Sequence, residues 1–265
     1  IIQINGAKIQ ILDLPGIIEG AADGAGRGKQ VIAIARTCSL ILMVLDGMQS
    51  LDLLKILERE LGGYGIKLNK EPPKIRIDKR DKNGISISSK VEQNELDDET
   101  VEYILKNDYK IHHAAVRFEE QATIDDLIDV LEGNRVYLPC IYVINKCDQL
   151  SPEQIAEFSK RPDTICVSAQ RQMNLDVLVS TMWDYLDLIR VYTQKTKNEP
   201  IDPEPLVLYS NRCKIQDLCE KIHTSLVENF RFAWVTGTSV KYYPAKCGLS
   251  HELQDGDIVT IISKG

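Results

Sequence analysis

The sequence predicts an α/β protein: a doubly wound sheet, interrupted by an inserted α+β domain and followed by a small β-grasp module. Three observations carry this. Short apolar runs with strand character alternate with amphipathic helical stretches, the signature of parallel sheets covered by helices. About 130 positions separate Asp13 from Asn145, where two helices, two strands and their loops need only about 55 to 60, so roughly seventy are surplus. The last sixty or so residues, set off by Pro200, Pro203 and Pro205, read strand, helix, strand, strand.

Taken in order, Ile1 to Ile4 and Lys8 to Leu12 flank Asn5-Gly6, a strong hairpin signal, and are expected to pair antiparallel, the second strand ending at Asp13. Ile1-Ile2-Gln3-Ile4 reads as a strand already under way, which suggests a sheet incomplete at its N-terminus. A helix over Lys29 to Thr37 leads to Leu40–Leu45, an unbroken apolar run expected to be buried on both faces. A helix over Leu51 to Leu61 follows. The surplus falls between Ile66 and Ala122: a hairpin-like pair around Lys82-Asn83-Gly84, a helix from Asp97 to Asn107 and a strand over Ala114 to Phe118. Beyond it come a second buried strand, Cys140 to Ile144, a helix over Pro152 to Phe158, a strand over Thr164 to Val167 and a long amphipathic helix from Leu175 to Tyr192. The closing module reads Leu206–Tyr209 as strand, Lys214–Asn229 as helix, then strands at Ala233–Thr236 and Ile258–Ile262.

A formal charge of −7 and a pI near 5.3 exclude a surface that grips nucleic acid all over and leave room only for local contacts. The C-terminal module, with seven Lys/Arg against six Asp/Glu, shows no net signal of that kind. Seven cysteines lack any C-x-x-C spacing and read as reduced cytosolic thiols, and no apolar stretch is long enough to span a bilayer, so a cytoplasmic protein is expected. His112-His113 does not suggest a metal site, since neighbours in a strand point to opposite faces.

The chemistry sits at strand ends. Asp13-Leu14-Pro15-Gly16 follows the second strand; an Asp there can orient Mg²⁺ through its water shell, and a Gly lets a backbone N–H approach a phosphate. Asn145-Lys146-Cys147-Asp148 follows a buried strand, and N-K-x-D suits guanine. The Asp148 carboxylate can accept from both N1–H and the 2-amino group, and a base without those donors leaves it unpaired, which gives discrimination. Lys146 can cover the base with its aliphatic stem, and Asn145 can tie the loop to its neighbours. Ser168-Ala169 ends the next strand, where the Ala169 N–H can reach guanine O6. Three motifs in this order, each at a strand end, make a specific combination.

The set resembles the translation-factor-related GTPases, and Asp13-Leu14-Pro15-Gly16-Ile17-Ile18-Glu19-Gly20-Ala21 resembles their Obg branch. With Asn5-Gly6-Ala7-Lys8-Ile9-Gln10, Gly26-Arg27-Gly28-Lys29-Gln30-Val31-Ile32-Ala33, Gly133-Asn134-Arg135-Val136-Tyr137, the position of the insert and the closing module, the whole chain resembles the developmentally regulated GTP-binding protein (DRG) family. The resemblance implies a P-loop GTPase-type sheet with GTP/GDP and Mg²⁺ as ligands, K⁺ as a further candidate cation, a C-terminal TGS domain, association with ribosomes and RNA, and a small zinc-finger partner protein that stabilises it. In these terms the domains fall at 1–65 and 123–195 for the two parts of the GTPase domain, 66–122 for the insert, 196–204 for the linker and 205–265 for the TGS domain.

Two departures bear on activity. The family places G-x-x-x-x-G-K-[ST] and a switch threonine upstream of Ile1, and no such motif occurs in these 265 residues. The phosphate cradle, its lysine, one Mg²⁺ ligand and the asparagine that potassium-dependent relatives use are therefore not in this chain. The residue after Gly16 is Ile17, where Ras-like enzymes place the glutamine that orients the attacking water, which implies a slow GTPase. The rival expectation is a truncated, non-hydrolysing binding module acting through the insert and the TGS domain.

Overall fold

The computed structural model describes residues 1–14, 33–49, 52–196 and 199–264. Pro15 and Gly16 of the Asp13–Gly16 motif, residues 17–28 and the start of the helix expected from Lys29 lie outside the described residues; residues 33–35 are helical.

The chain opens with β1 (Ile2–Ile4) and β2 (Ala7–Ile9), antiparallel with Ile4 opposite Ala7. Asn5 and Gly6 both have positive φ, 50° and 85°, as the tight hairpin turn requires. This pair forms its own two-stranded sheet, and β2 stops at Ile9, so Asp13 lies beyond the end of its strand.

A three-stranded sheet has the order β10-β9-β3, from β3 (Ile41–Asp46), β9 (Cys140–Asn145) and β10 (Thr164–Cys166), with β9 and β10 parallel. β9 meets the expectation of a strand buried on both faces, with Cys140 to Ile144 all buried. β3 does not. Met43 and Leu45 are buried, but Val44 is 60% exposed, so only one face is covered. Beside this sheet, α4 (Pro152–Phe158) starts with a Ser151–Gln154 capping box and Pro152 in its first turn. α5 (Leu175–Leu186) ends six residues earlier than expected. Asp187 takes the left-handed conformation (φ 47°), and a strand, β11 (Leu188–Thr193), begins at once.

A second compact unit takes in, among the described residues, those of 33–41 and 49–140. Here α1 (Asp52–Gly63) precedes β4 (Ile66–Leu68), which pairs in parallel with β8 (Val136–Leu138). Between them lie β5 (Ile75–Lys79), β6 (Ile85–Ser89), α2 (Asp98–Tyr103) continued by a π-helical turn at Ile104–Asp108, β7 (Ala114–Phe118) and α3 (Ile124–Glu132). The strands on either side of Asn83-Gly84 do not form a hairpin. The sheet order is β5-β7-β6, with β5 antiparallel and β6 parallel to β7. The reason is burial: of the three strands β7 is the most apolar, with every residue but Arg117 buried, and such a strand belongs in the middle. Val116, Phe118, Val101, Leu105 and Leu127 form the centre of this core. His113 serves the fold, its Nδ1 accepting from the Gly84 N–H at 2.9 Å.

The C-terminal sheet has the order β12-β11-β15-β13-β14, using β12 (Leu206–Tyr209), β13 (Phe230–Thr236), β14 (Ala245–Cys247) and β15 (Ile258–Ser263). β11 and β15 run parallel in its interior, the mark of a β-grasp. The expected helix from Lys214 to Asn229 is broken: α6 (Ile215–Ile222) ends at an extended His223, and α7 (Ser225–Glu228) follows. Ile215, Leu218 and Cys219 pack on Val191, Ala233, Val235 and Val259. Val191, wholly buried, belongs to the strand read from the sequence as helix.

Candidate functional site

Asn145, Lys146 and Asp148 stand where β9 ends, and Ser168 and Ala169 stand just beyond β10. Because the two strands are parallel neighbours, both loops leave the same end of the sheet, the end at which open α/β folds bind ligands. The backbone fixes their register: the Val167 N–H donates to the Ile144 carbonyl at 2.8 Å and the Cys147 N–H to the Val167 carbonyl at 3.0 Å.

Asn145 is the clamp. Its Oδ1 accepts from the Lys146 N–H at 2.8 Å and from the Ala169 N–H at 3.1 Å, joining the two loops directly. The amide that was expected to reach guanine O6 is thus already held in the loop, pointing at the Asn145 oxygen. Ser168 is buried and shapes the second loop: its backbone pairs both ways with Met173, and its hydroxyl accepts from the Arg171 N–H at 3.2 Å. Asn174 completes the loop by donating to the Cys166 carbonyl at 2.9 Å.

Lys146 occupies the left-handed region (φ 65°), which turns the chain sharply after the strand. Its ammonium reaches Asp46 at 2.7 Å, so its aliphatic stem is stretched from the end of β9 to the end of β3. Asp46 is a site residue that the sequence reading missed. The available signal was its place as the first polar residue after an apolar strand, the position Asp13 and Asn145 were chosen for. The hydrogen bond from Lys146, helped by the Met48 N–H, holds the Asp46 carboxyl below the usual carboxylate range. Gly47 next to it has no room for a side chain: an added Cβ would lie 2.8 Å from Leu150 Cδ1 and 3.1 Å from the Asn145 carbonyl.

The Asp148 carboxylate is largely enclosed, with Arg171 Nε at 3.9 Å, beyond hydrogen-bond range. Cys147 between Lys146 and Asp148 points inward, and burial pushes its thiol up, with the Asp148 charge adding to the effect. The loop therefore buries its third residue, exposes its second, and keeps the carboxylate of its fourth mostly covered.

Asp13 is exposed on a stretch without regular secondary structure, and Gly16 lies outside the described residues. Five of the seven residues singled out in the sequence thus sit together, and for Asp13 and Gly16 no such gathering is described. Among the described residues no group of three His, Cys, Asp or Glu side chains could hold a metal ion unaided, and no helix is long and apolar enough to cross a membrane.

Comparison with known proteins matches residues 1–79 to the family described as "50S ribosome-binding GTPase", residues 82–188 to the C-terminal region of the MMR_HSR1 domain, and residues 189–263 to the TGS domain. The developmentally-regulated GTP-binding protein 1 of Xenopus laevis is 50% identical over 264 residues, covering 100% of this chain and 72% of that protein. The guanylate binding protein 128up of Drosophila melanogaster is 51% identical over 99% of this chain and 71% of its own. The ribosome-interacting GTPase 1 of Saccharomyces cerevisiae is 49% identical over 100% and 72%. A solved GTP binding protein from Pyrococcus horikoshii OT3 aligns over 86% of this chain and 80% of its own, with a TM-score of 0.47 and 18% identity. On the strength of these full-length relatives, the chain belongs to the developmentally regulated GTP-binding protein family, GTPases that carry a C-terminal TGS domain.

Proposed function

We propose that this GTPase is a slow switch acting at the ribosome in the cytoplasm, and that Asn145, Lys146, Asp148, Ser168 and Ala169 form its guanine site. The observation that carries the reading is the Asn145 clamp, which holds Ala169 and the Lys146-Cys147-Asp148 turn in one constellation. Asp148 accepts from N1–H and the 2-amino group. Lys146, anchored on Asp46, lays its stem along the base, and the Ala169 N–H turns from the Asn145 oxygen toward O6.

Asp13 and Gly16 serve the other end of the nucleotide, Asp13 as a Mg²⁺ ligand through water and Gly16 at the γ-phosphate. A single exposed carboxylate suits Mg²⁺, which is commonly held by one or two carboxylates together with phosphates and water. Ile17 supplies no group to orient the attacking water, which supports slow hydrolysis and a role for a cation such as K⁺. The ribosome enters through the relative named for interacting with it; RNA and a zinc-finger partner protein belong to the same proposal. The domain limits offered are 1–65, 66–122, 123–195, 196–204 and 205–265, with the strand at Leu188–Thr193 drawing the C-terminal module's start upstream of the linker.

The test is a change of base. In the protein joined to the phosphate-binding segment that its family carries upstream, Asp148→Asn should weaken GTP by about 10- to 150-fold, the loss of a charge-assisted pair. The same variant should bind xanthosine nucleotides better than GTP, because the amide can donate to the 2-keto group. Unchanged preference for GTP removes Asp148 from the site.

A further inference from the structure

The two edges of the β5-β7-β6 sheet are guarded differently. β5 carries Arg76, Asp78 and Lys79, charges that discourage a further strand from pairing there. β6, at the other edge, reads Ile85-Ser86-Ile87-Ser88-Ser89 and carries none. Its backbone is only half used. A parallel ladder is bonded by alternate residues, and here the Ala114 N–H donates to the Gly84 carbonyl at 3.1 Å and the Lys90 N–H to the Phe118 carbonyl at 2.9 Å. Gly84, Ser86, Ser88 and Lys90 therefore face β7. Ile85, Ile87 and Ser89 turn their N–H and carbonyl groups outward, where no further strand lies among the described residues.

This edge is complementary to itself. An antiparallel copy centred on Ile87 sets Ile87 opposite Ile87 and Ile85 opposite Ser89, so that outward residues meet outward residues and about six backbone hydrogen bonds form. On the exposed face the same register sets Ser86 opposite Ser88, twice, a pair of hydroxyls that can bond to each other. Beyond the strand ends it brings Lys82 toward Glu92, again twice. Lys90, the remaining charge between residues 82 and 92, falls opposite Gly84, so no like charges meet. The core face has a matching gap. Ile85 and Ile87 pack on the core there, and Ser89, level with Phe118, shares that face. An open hollow of about 470 Å³, lined by Ile87, Ser89, Leu96 and Phe118 among others, lies at this position. Ile85 of a second copy, standing opposite Ser89, is the side chain that enters it.

We propose that β6 is a self-association edge, through which two copies of this chain pair antiparallel about Ile87 and join their three-stranded sheets into one of six strands. The contact is isologous, the same patch on both copies, as a two-fold axis demands. Nothing about a foreign strand accounts for an edge whose charges and serines are answered by the same edge reversed. One strand pair covers less surface than a standard interface, so the dimer is a weak one, with a dissociation constant of roughly 10–100 µM. The guanine site takes no part in it.

The experiment is sedimentation velocity on the whole chain from about 1 to 200 µM, a range that brackets the expected constant. The mean sedimentation coefficient should rise with concentration toward that of a dimer. Two double variants then test the register, both at exposed serines. Ser86→Lys with Ser88→Lys sets lysine opposite lysine at both cross-strand pairs and should weaken the dimer by roughly 2- to 30-fold. Ser86→Lys with Ser88→Glu sets lysine opposite glutamate at both and should tighten it by a similar factor, an effect that shrinks as salt rises. A role confined to the fold of one copy cannot produce this opposition of signs. Thermal melting is followed on the same samples; if the double-lysine variant melts early, the lysine–glutamate variant decides alone, and failure to tighten then overturns the proposal. A chain that stays monomeric to about 200 µM overturns it too. So does a dimer that both variants leave unchanged or shift in the same direction, since its interface then lies elsewhere.

Discussion

Replacing Asp129 with alanine is expected to be among the most damaging single changes in the unit that contains β4, α3 and β8. Asp129 is 6% exposed, yet it is charged. It accepts from Arg135 Nε at 2.8 Å, meets Lys67 Nζ at 3.1 Å and receives the Tyr137 hydroxyl at 3.4 Å, so one carboxylate of α3 gathers a residue of β4 and two from the segment entering β8. Burial works against its charge, but Arg135 and Lys67 outweigh it and hold the carboxyl below the usual range. Removing one member of a fully buried pair costs about 3–5 kcal/mol, because the partner charge is left uncompensated. Here Lys67 and Arg135 keep 27% and 21% exposure, and Arg135 retains Glu132 at 2.8 Å, so both find partial solvation and the expected loss is about 2–3 kcal/mol. Urea unfolding measures the total. Amide exchange places it, since Val136 donates to the Gly65 carbonyl within the same parallel pair and should lose protection with its neighbours. Asp129→Asn, which keeps shape but not charge, should lose less, and a cycle with Lys67→Met should show coupling of at least ~0.5 kcal/mol. A loss below about 0.5 kcal/mol for Asp129→Ala would mean that the cluster is a solvated surface group, and the reasoning from burial would fall.

Four further outcomes are expected. Burial pushes the Tyr137 hydroxyl up to about 12, above its value in an unfolded chain; its contribution to stability is complete below about pH 10 and is lost as pH rises through 12, so alkaline unfolding should move to higher pH in Tyr137→Phe. The Asp129 carboxyl runs the other way: its stabilisation is present above about pH 4 and is lost as pH falls through its lowered value, so acid unfolding of Asp129→Asn should show a shallower pH dependence than the parent. A segment beginning at Leu188 should melt cooperatively whereas one beginning at Pro205 should not, because the shorter segment removes β11 from between β12 and β15 together with the buried Val191; equal melting curves would make β11 an ornament of the sheet. Asn145→Ala strips the acceptor that the Lys146 N–H keeps when the base is bound, worth about 1 kcal/mol, and should weaken guanine nucleotides by roughly 5-fold, read by titration of a fluorescent GDP.

What could be read from the sequence was what local chemistry decides. Asn5-Gly6 announces its turn because few other pairs accept two positive φ angles, and Cys140–Ile144 announces a central strand because nothing in it tolerates water. The Asn145–Asp148 loop, proposed to read guanine, stood out in the sequence for a like reason: each of its residue types has a narrow range of uses at a strand end. What stayed hidden depends on partners far along the chain. β11 carries no turn signal before it, since Asp187 rather than a glycine takes the left-handed conformation, and its apolar spacing continues the helix pattern without a break. That β7 separates β5 from β6 follows from a comparison of burial among three strands, not from the turn at Asn83-Gly84. Asp46 became a site residue only when Lys146 was seen to reach it.

The pairing of β11 with β15 places the first strand of the C-terminal sheet beside the last, Tyr192 next to Ile258. During synthesis β11 and β12 can close on each other early, but their inner edge stays open until the final strand has left the ribosome. The module can therefore become native only after β15 has been made, and until then β11 offers unpaired backbone groups and the apolar Val191 and Ile189 to whatever lies near. A nascent chain with this topology has a built-in waiting period at the tunnel exit, and any factor that shields an open strand edge would act there, before the finished domain exists.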